Sequence, residues 1–160
     1  MSVEAGDRVP DAGAYVMGAE GPEKISMSEL LGTGRVVLFA VPGAFTPTCS
    51  NVHLPGFVER AGELAGKGVG TIACVSVNDP FVMEAWARSA GADGRITMIA
   101  DPDAAFTEAM GLTSDLSAVG LGVRSRRYAA VIEDGVIKNL DVETERGVSV
   151  SSCEAVLGRL

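Results

Sequence analysis

An apolar run that leads directly into a cysteine-containing segment sets the strongest limit on how this chain can fold. Residues 36–41 (VVLFAV) are apolar at every position, as expected of a strand that is buried on both faces of a sheet. Pro42-Gly43 ends the run. Thr46 followed by Pro47 predicts a helix start, because a threonine hydroxyl can accept a free amide N–H and proline suits the first helical position. The segment therefore predicts a strand, a short loop and a helix with Cys49 as about its third residue.

Cys49 is a candidate nucleophile because of its place in that helix. A thiol in the first turn of a helix faces unpaired N–H groups and the positive end of the helix dipole, and both favour the thiolate. A lone cysteine is more commonly a small buried hydrophobic residue. The position at a helix start favours the nucleophile here.

Length and composition predict one soluble globular domain over residues 1–160. A chain of 160 residues can bury roughly 70% of its unfolded surface around a single core. Hydrophobic residues make up 47% of the chain and charged residues 21%, and no apolar run is long enough for a membrane span. The formal charge of −8 argues against nucleic acids and anionic lipid surfaces as partners, because both attract basic patches.

The N-terminus and the cysteine content predict a cytoplasmic protein with reduced thiols. The opening residues MSVEAGDRVPD lack the basic and then apolar pattern of a signal peptide. Three cysteines, an odd number without close pairing, do not form the framework of a secreted disulfide scaffold. Cys49 and the single His53 are too few ligands for zinc, so we expect no metal site.

The remaining sequence predicts an α/β fold with a mixed sheet and helices on both faces. Apolar or β-branched runs predict further strands at residues 71–77, 96–100, 127–132 and 136–142, the last two joined by a hairpin turn at Asp134-Gly135. Spacing predicts a helix kinked at Pro55-Gly56 and a short helix at residues 103–110, with a loop or broken helix at residues 111–122. Capping residues predict a helix that follows Asn78-Asp79-Pro80 and a final helix opened by residues 151–154 (SSCE). This order places Cys49 at the carboxyl end of the first core strand, where ligands bind in open α/β sheets.

The segment PGAFTPTCSNVHLPGF resembles the active-site segment of the peroxiredoxins, and specifically of their type II (peroxiredoxin-five-like) branch. Pro42, Thr46 and Cys49 fill the pattern Pro-x-x-x-Thr-x-x-Cys. The resemblance continues through VSVNDPF, ADPDAAF and RSRRYAAVIEDG and so covers almost the whole chain. It implies a thioredoxin-like fold and a thiol peroxidase that needs no cofactor.

The resemblance also implies a role for each site residue. Cys49 attacks hydrogen peroxide or an alkyl hydroperoxide and becomes a sulfenic acid. The Thr46 hydroxyl holds the peroxide beside the thiolate, and Pro42 shields the thiolate from bulk water. The guanidinium of Arg127 stabilises the thiolate and polarises the peroxide.

The residues around Arg127 and Cys49 leave some roles open. In a strand, Arg127 shares a face with Ala129 and Val131, so its guanidinium should lie along a partly enclosed apolar surface. Arg124 and Arg126 are expected to be solvated. His53 follows Cys49 by four residues, so a base is conceivable, but we favour a structural or pocket-wall role.

The reductant is less determined by the sequence. Cys74 lies in the middle of a predicted strand, where a buried inert thiol is the default, although some type II relatives have a resolving cysteine at this position. Cys153 begins the last predicted helix and should be more acidic and exposed. The resolving cysteine of the family's animal branch also lies near the C-terminus, but the matching position here is Val150. Without an evident resolving thiol, we favour glutathione with glutaredoxin as the reductant, and thioredoxin second.

Two further expectations follow from the family resemblance and from its alternatives. The resemblance implies a homodimer joined around the loop that carries Phe45. A non-catalytic thiol sensor or a chaperone-like binder would share the reactive cysteine but would not require Thr46 and Arg127. A disulfide reductase is disfavoured, because no second thiol follows Cys49 in a Cys-x-x-Cys motif.

Overall fold

The computed structural model describes residues 2–160, and its centre is a seven-stranded mixed sheet. The strands lie in the order β2-β1-β5-β4-β3-β8-β9, and a separate pair is formed by β6 and β7. Their bounds are β1 Gly13–Gly18, β2 Gly21–Ser26, β3 Arg35–Ala40, β4 Val69–Ser76, β5 Thr97–Ala100, β6 Thr113–Asp115, β7 Val123–Ser125, β8 Tyr128–Glu133 and β9 Val136–Val142.

Helices cover both faces of this sheet. They are α1 Met27–Leu30, α2 Leu54–Glu59, α3 Ala61–Gly66, α4 Pro80–Ala90, α5 Ala105–Met110 and α6 Cys153–Leu157, with a π-helical segment at Cys49–His53 and a 3-10 turn at Ser117–Val119. No helix within residues 2–160 combines the length and the apolar character that a membrane crossing requires.

The middle of the sheet combines parallel and antiparallel pairs. Strand β3 runs parallel to β4 on one side and antiparallel to β8 on the other. Phe39 of β3 therefore lies between Cys74 of β4 and Ala129 of β8. The predicted mixed sheet is confirmed, and so is the hairpin at Asp134-Gly135, which joins β8 to β9.

Strand β3 is buried on both faces, as its unbroken apolar sequence predicts. Val37 and Phe39 belong to the core that includes α4, α6 and the helix that begins at Pro47 and carries Cys49, called the reactive helix below. Leu38 belongs to the core beneath α1 and α5, on the other face of the sheet. Phe39 stacks on Phe57 of α2 with ring centroids 4.0 Å apart, a contact of about 0.5–1.5 kcal/mol beyond simple burial. This packing fixes the end of β3 relative to the helix that follows it.

The reactive helix begins at Pro47, so Cys49 is its third residue as predicted. The kink predicted at Pro55-Gly56 is wrong in position. The irregular turn is the π-helical segment Cys49–His53, in which the Leu54 N–H reaches back to the Cys49 carbonyl, and the next interruption comes at Arg60. Proline lacks an N–H and crowds the carbonyl four residues earlier. In the turn before Pro55 the backbone hydrogen bonds therefore span five residues instead of four.

Other boundaries differ from the sequence prediction for local reasons. Arg127 lies just before β8 rather than inside it. Helix α5 begins at Ala105 and not at residue 103, because the buried Asp101 carboxylate accepts the N–H groups of Phe106 and Thr107. The predicted loop at residues 111–122 contains strand β6 and the short 3-10 turn.

Candidate functional site

The site lies where β3 ends and the reactive helix begins. Residues 42–46 form a tight loop whose Ala44 N–H donates to Oδ1 of Asn78 at 3.0 Å. Phe45 has a φ of 63°, a left-handed conformation that costs a non-glycine residue of order 1–3 kcal/mol and persists where the surroundings hold it. Asn78 of the β4–α4 connection is therefore an anchor of the loop that the sequence analysis did not identify.

Cys49 and Arg127 are brought together, as the family resemblance implies. The Cys49 side chain is fully buried, and Nη2 of Arg127 donates to its Sγ at 3.1 Å. Arg127 is half-buried, which agrees with the predicted partly enclosed surface. The guanidinium therefore places a positive charge and an N–H donor directly beside the sulfur.

His53 contacts Arg127 directly, a contact that the sequence analysis did not foresee. The Nδ1 atom of His53 lies 2.8 Å from Nη1 of Arg127, and its Nε2 atom lies 2.8 Å from the Ser151 carbonyl oxygen. Because a carbonyl can only accept, Nε2 carries the proton, and the Nδ1 lone pair accepts from the guanidinium. His53 therefore holds Arg127 by Nη1, the terminal nitrogen that does not contact the thiol.

The surroundings of His53 make it a poor base. Burial lowers the pKa of His53 to about 4; the hydrogen bond to Ser151 acts in the opposite direction, and the charge of Arg127 lowers the pKa further. The ring is neutral at pH 7, and its lone pair is occupied by the arginine. The structural role that we favoured fits this geometry, and the base role does not.

Thr46 begins the helix without acting as a side-chain cap. Its hydroxyl donates to the Gly43 carbonyl at 2.6 Å, and its own carbonyl accepts the first helical N–H, from Ser50, at 2.9 Å. The expected cap by the hydroxyl is therefore absent. Since the hydroxyl proton is used, the oxygen lone pairs remain available to accept a hydrogen bond.

Pro42 lines a cavity next to Arg127, and close to it the structure corrects one expectation. A cavity of about 580 Å³ is lined by Pro42, Thr48 and Arg127, among others. Arg124, expected to be solvated, instead donates to the carbonyl oxygens of Pro42 at 3.2 Å and Leu121 at 2.9 Å. A Cβ at position 43 would lie 2.8 Å from Arg124 Nη1, so a larger residue there would displace this guanidinium. Arg126 is exposed, as expected.

The other two cysteines are buried free thiols. Burial, with a smaller effect of Cys49, raises the pKa of Cys74 well above its usual value. Cys153 is only 3% exposed, and burial raises its pKa to about 11 despite the nearby Arg60. The expectation that Cys153 is acidic and exposed is wrong, because helix α6 turns its first residue towards the core.

The comparisons with known proteins agree with this site. A family model described as Redoxin matches residues 4–157. Peroxiredoxin-2E-2, chloroplastic, of Oryza sativa subsp. japonica is 50% identical over 164 residues, which cover 99% of this chain and 73% of the rice protein. Reduced Prx3 of Vibrio vulnificus in complex with hydrogen peroxide has a TM-score of 0.94 at 46% identity, with 98% of each chain covered. Peroxiredoxin 5 from Alvinella pompejana has a TM-score of 0.85 at 33% identity, with 97% of this chain and 96% of that chain covered. The chain therefore belongs to the peroxiredoxins, thiol peroxidases of thioredoxin-like fold, in their type II, peroxiredoxin-five-like branch.

Proposed function

We propose that the Cys49 thiolate reduces hydrogen peroxide and alkyl hydroperoxides. The sulfur attacks the hydroxyl-bearing peroxide oxygen, the O–O bond breaks, and Cys49 becomes a sulfenic acid, while the departing oxygen takes a proton from solvent and leaves as water or an alcohol. The observation that carries this proposal is the hydrogen bond of 3.1 Å from Arg127 Nη2 to the buried Cys49 Sγ. The Vibrio vulnificus relative, described in complex with hydrogen peroxide, supports this peroxide as a substrate.

Thr46, Arg127 and Pro42 serve this reaction in different ways. The Thr46 oxygen accepts a hydrogen bond from the peroxide O–H, because its own hydroxyl proton is already directed to the Gly43 carbonyl. Arg127 donates to the charge that develops on the oxygens as the O–O bond lengthens. Pro42, at the mouth of the cavity, limits the access of water to the thiolate.

An external thiol recycles the sulfenic acid. The thiol sulfur displaces water from the sulfenic acid to give a mixed disulfide, and a second thiol then releases reduced Cys49. Support comes from Cys74 and Cys153, since both are buried and both have raised pKa values, which makes either a poor nucleophile at neutral pH. Glutathione with glutaredoxin is our first choice and thioredoxin our second; a Cys49–Cys74 disulfide is the internal alternative.

Peroxide consumption by the purified protein tests the catalytic step. With glutathione and glutaredoxin, or with thioredoxin and its reductase, wild-type protein should consume peroxide through many turnovers, and Cys49→Ser should consume none. Cys153→Ser is the matched control and should keep the wild-type rate. Sustained peroxide consumption by Cys49→Ser would disprove the mechanism, and a single oxidation without turnover with either reductant would favour a thiol sensor.

Mass analysis after one equivalent of peroxide separates the routes of reduction. A glutathione adduct at Cys49 supports external resolution. Loss of two hydrogens, with Cys49 and Cys74 joined in one peptide pair, would instead identify Cys74 as the resolving cysteine.

We further propose that the protein is a cytoplasmic homodimer joined around Phe45. Phe45 is 52% exposed and Phe81 is 66% exposed, and the hydrogen bond between Ala44 and Asn78 ties the loop of Phe45 to the connection that precedes Phe81 in α4. Exposed aromatic residues of this kind favour a protein interface. Phe45→Asp should reduce the sedimenting mass to that of a monomer, whereas the control Val52→Asp should not.

A further inference from the structure

Glu143 lies directly after β9, and its carboxylate accepts hydrogen bonds from the segment that leads to helix α6. Its Oε2 atom accepts from the Ser149 N–H at 2.6 Å, the Ser151 N–H at 2.9 Å and the Ser151 hydroxyl at 2.7 Å. Its Oε1 atom accepts from the Ser149 hydroxyl at 2.9 Å. Four donors around one carboxylate fix the loop of residues 144–150, which has no regular secondary structure of its own.

The ionised form of Glu143 is the form that these contacts need. Burial acts to raise its pKa, but the hydrogen bonds from the hydroxyl and N–H groups of Ser151 and Ser149 lower the pKa to about 2. The carboxylate is therefore charged throughout the physiological range and accepts all four bonds.

Glu143 is connected to Arg127 through two sets of hydrogen bonds. The Ser151 carbonyl, held in place by Glu143, accepts from Nε2 of His53, and Nδ1 of His53 in turn accepts from Arg127. The Glu143 N–H also donates to the Arg127 carbonyl at 2.9 Å. One residue thus fixes the arginine backbone directly and the guanidinium through Ser151 and His53.

The tautomer of His53 depends on the same carbonyl. If the Ser151 carbonyl moved away, Nε2 would lose its acceptor, and the ring could carry its proton on Nδ1 instead. An Nδ1–H group would face the guanidinium donor to donor, and Arg127 would turn away from the thiol. The position of the Ser151 carbonyl therefore determines whether the Arg127 guanidinium points towards the Cys49 sulfur.

We propose that Glu143 is a positioning residue for Arg127, acting through the loop that it clamps and the His53 ring that this loop orients. The inference rests on the proposed function of Cys49 and Arg127. Misplacing a catalytic group by about 1 Å can cost on the order of 100-fold in rate, which sets the scale of the expected effect.

Glu143→Gln tests this role, because an amide of the same shape cannot accept all four hydrogen bonds. The rate constant for hydrogen peroxide should fall by on the order of 10- to 100-fold, and the pH midpoint of Cys49 alkylation should rise as the guanidinium leaves the sulfur. Glu20→Gln, in the exposed turn between β1 and β2 and outside the cavity that Arg127 lines, is the matched control and should change neither value. Circular dichroism and thermal unfolding establish that both variants are folded.

A double-mutant cycle with Arg127→Gln distinguishes positioning from a general structural role. If Glu143 acts through the arginine, Glu143→Gln should lower the rate much less in the Arg127→Gln background. An equal fall in both backgrounds, or a folded Glu143→Gln with wild-type rate and alkylation midpoint, would overturn the proposal.

Two milder variants keep the test decisive if Glu143→Gln fails to fold. The double variant Ser149→Ala and Ser151→Ala removes two of the four hydrogen bonds and leaves the carboxylate charge in place. It should show a smaller change of the same kind in the rate and in the alkylation midpoint, and wild-type values would contradict the role of Glu143. The alkylation midpoint can be measured without catalytic turnover, so it tests the role of Glu143 separately from the peroxidase activity. Wild-type protein that consumed no peroxide would refute the proposed function and not the role of Glu143.

Discussion

The neutrality of His53 predicts a specific dependence of stability on pH. His53 is the single histidine of the chain, and burial lowers its pKa from 6.5 in the unfolded chain to about 4 in the fold. Between these values the unfolded state binds a proton that the folded state does not, so the free energy of unfolding must fall as the pH falls. Protonation would also place a hydrogen on Nδ1, where Arg127 already donates.

The size of the effect follows from the two pKa values. At pH 7 the unfolded histidine is mostly neutral, and the linkage contribution is small. At pH 5 it is largely protonated while the folded histidine is still neutral, so the free energy of unfolding should be lower by about 2 kcal/mol, and by about 3 kcal/mol near pH 4.

Urea unfolding of wild type and His53→Gln, at steps between pH 7 and pH 5, measures this term. Glutamine can accept from Arg127 and donate to Ser151 without titrating, and the carboxylates titrate alike in both proteins. Wild type should therefore lose about 2 kcal/mol more than the variant over this range. Parallel losses in the two proteins would refute the conclusion that His53 is neutral and buried.

Three further perturbations follow from the contacts of the site. Arg127→Gln should lower the rate constant for peroxide by on the order of 100- to 1,000-fold, measured by rapid mixing, because it removes the charged donor beside the sulfur; a rate near wild type would exclude that role. Thr46→Val should cost on the order of 100-fold in the same assay while Thr46→Ser keeps most of the rate, and equal losses would argue against the hydroxyl. Oxidation of the thiol should change the fluorescence of Trp86, the single tryptophan, because its Nε1 atom donates to Ser50 Oγ at 2.9 Å on the reactive helix. Ser50→Ala should reduce the change in Trp86 fluorescence and lower the free energy of unfolding by about 1 kcal/mol. An undiminished fluorescence change would show that it does not depend on the hydrogen bond between Trp86 and Ser50.

The parts of the fold that depend on local rules could be predicted from the sequence. The unbroken apolar run of β3, the Thr46-Pro47 helix start and the Asp134-Gly135 turn each depend on neighbouring residues alone, and all three are confirmed. The capped start of α4 is confirmed as well, with the Asp79 carboxylate accepting the Val82 N–H at 2.9 Å.

The contacts that position the site could not be predicted in this way. His53 and Ser151 are 98 residues apart, and their hydrogen bond depends on how the final loop packs against the reactive helix. Spacing along the chain carries no information about such contacts. The expected exposure of Cys153 failed for the same reason, because its burial depends on how α6 packs, and burial outweighs the effect of Arg60 on the pKa of this thiol. The pairing of Arg127 with Cys49 was anticipated through the family resemblance rather than from periodicity.

The most direct test of the account is to locate the first oxidation. Reduced protein treated with one equivalent of hydrogen peroxide, in the presence of a reagent that traps sulfenic acids, is digested and analysed by mass spectrometry. The account predicts the trapped adduct at Cys49, with Cys74 and Cys153 still reduced. An adduct at either of those cysteines, with Cys49 left as a free thiol, would contradict it.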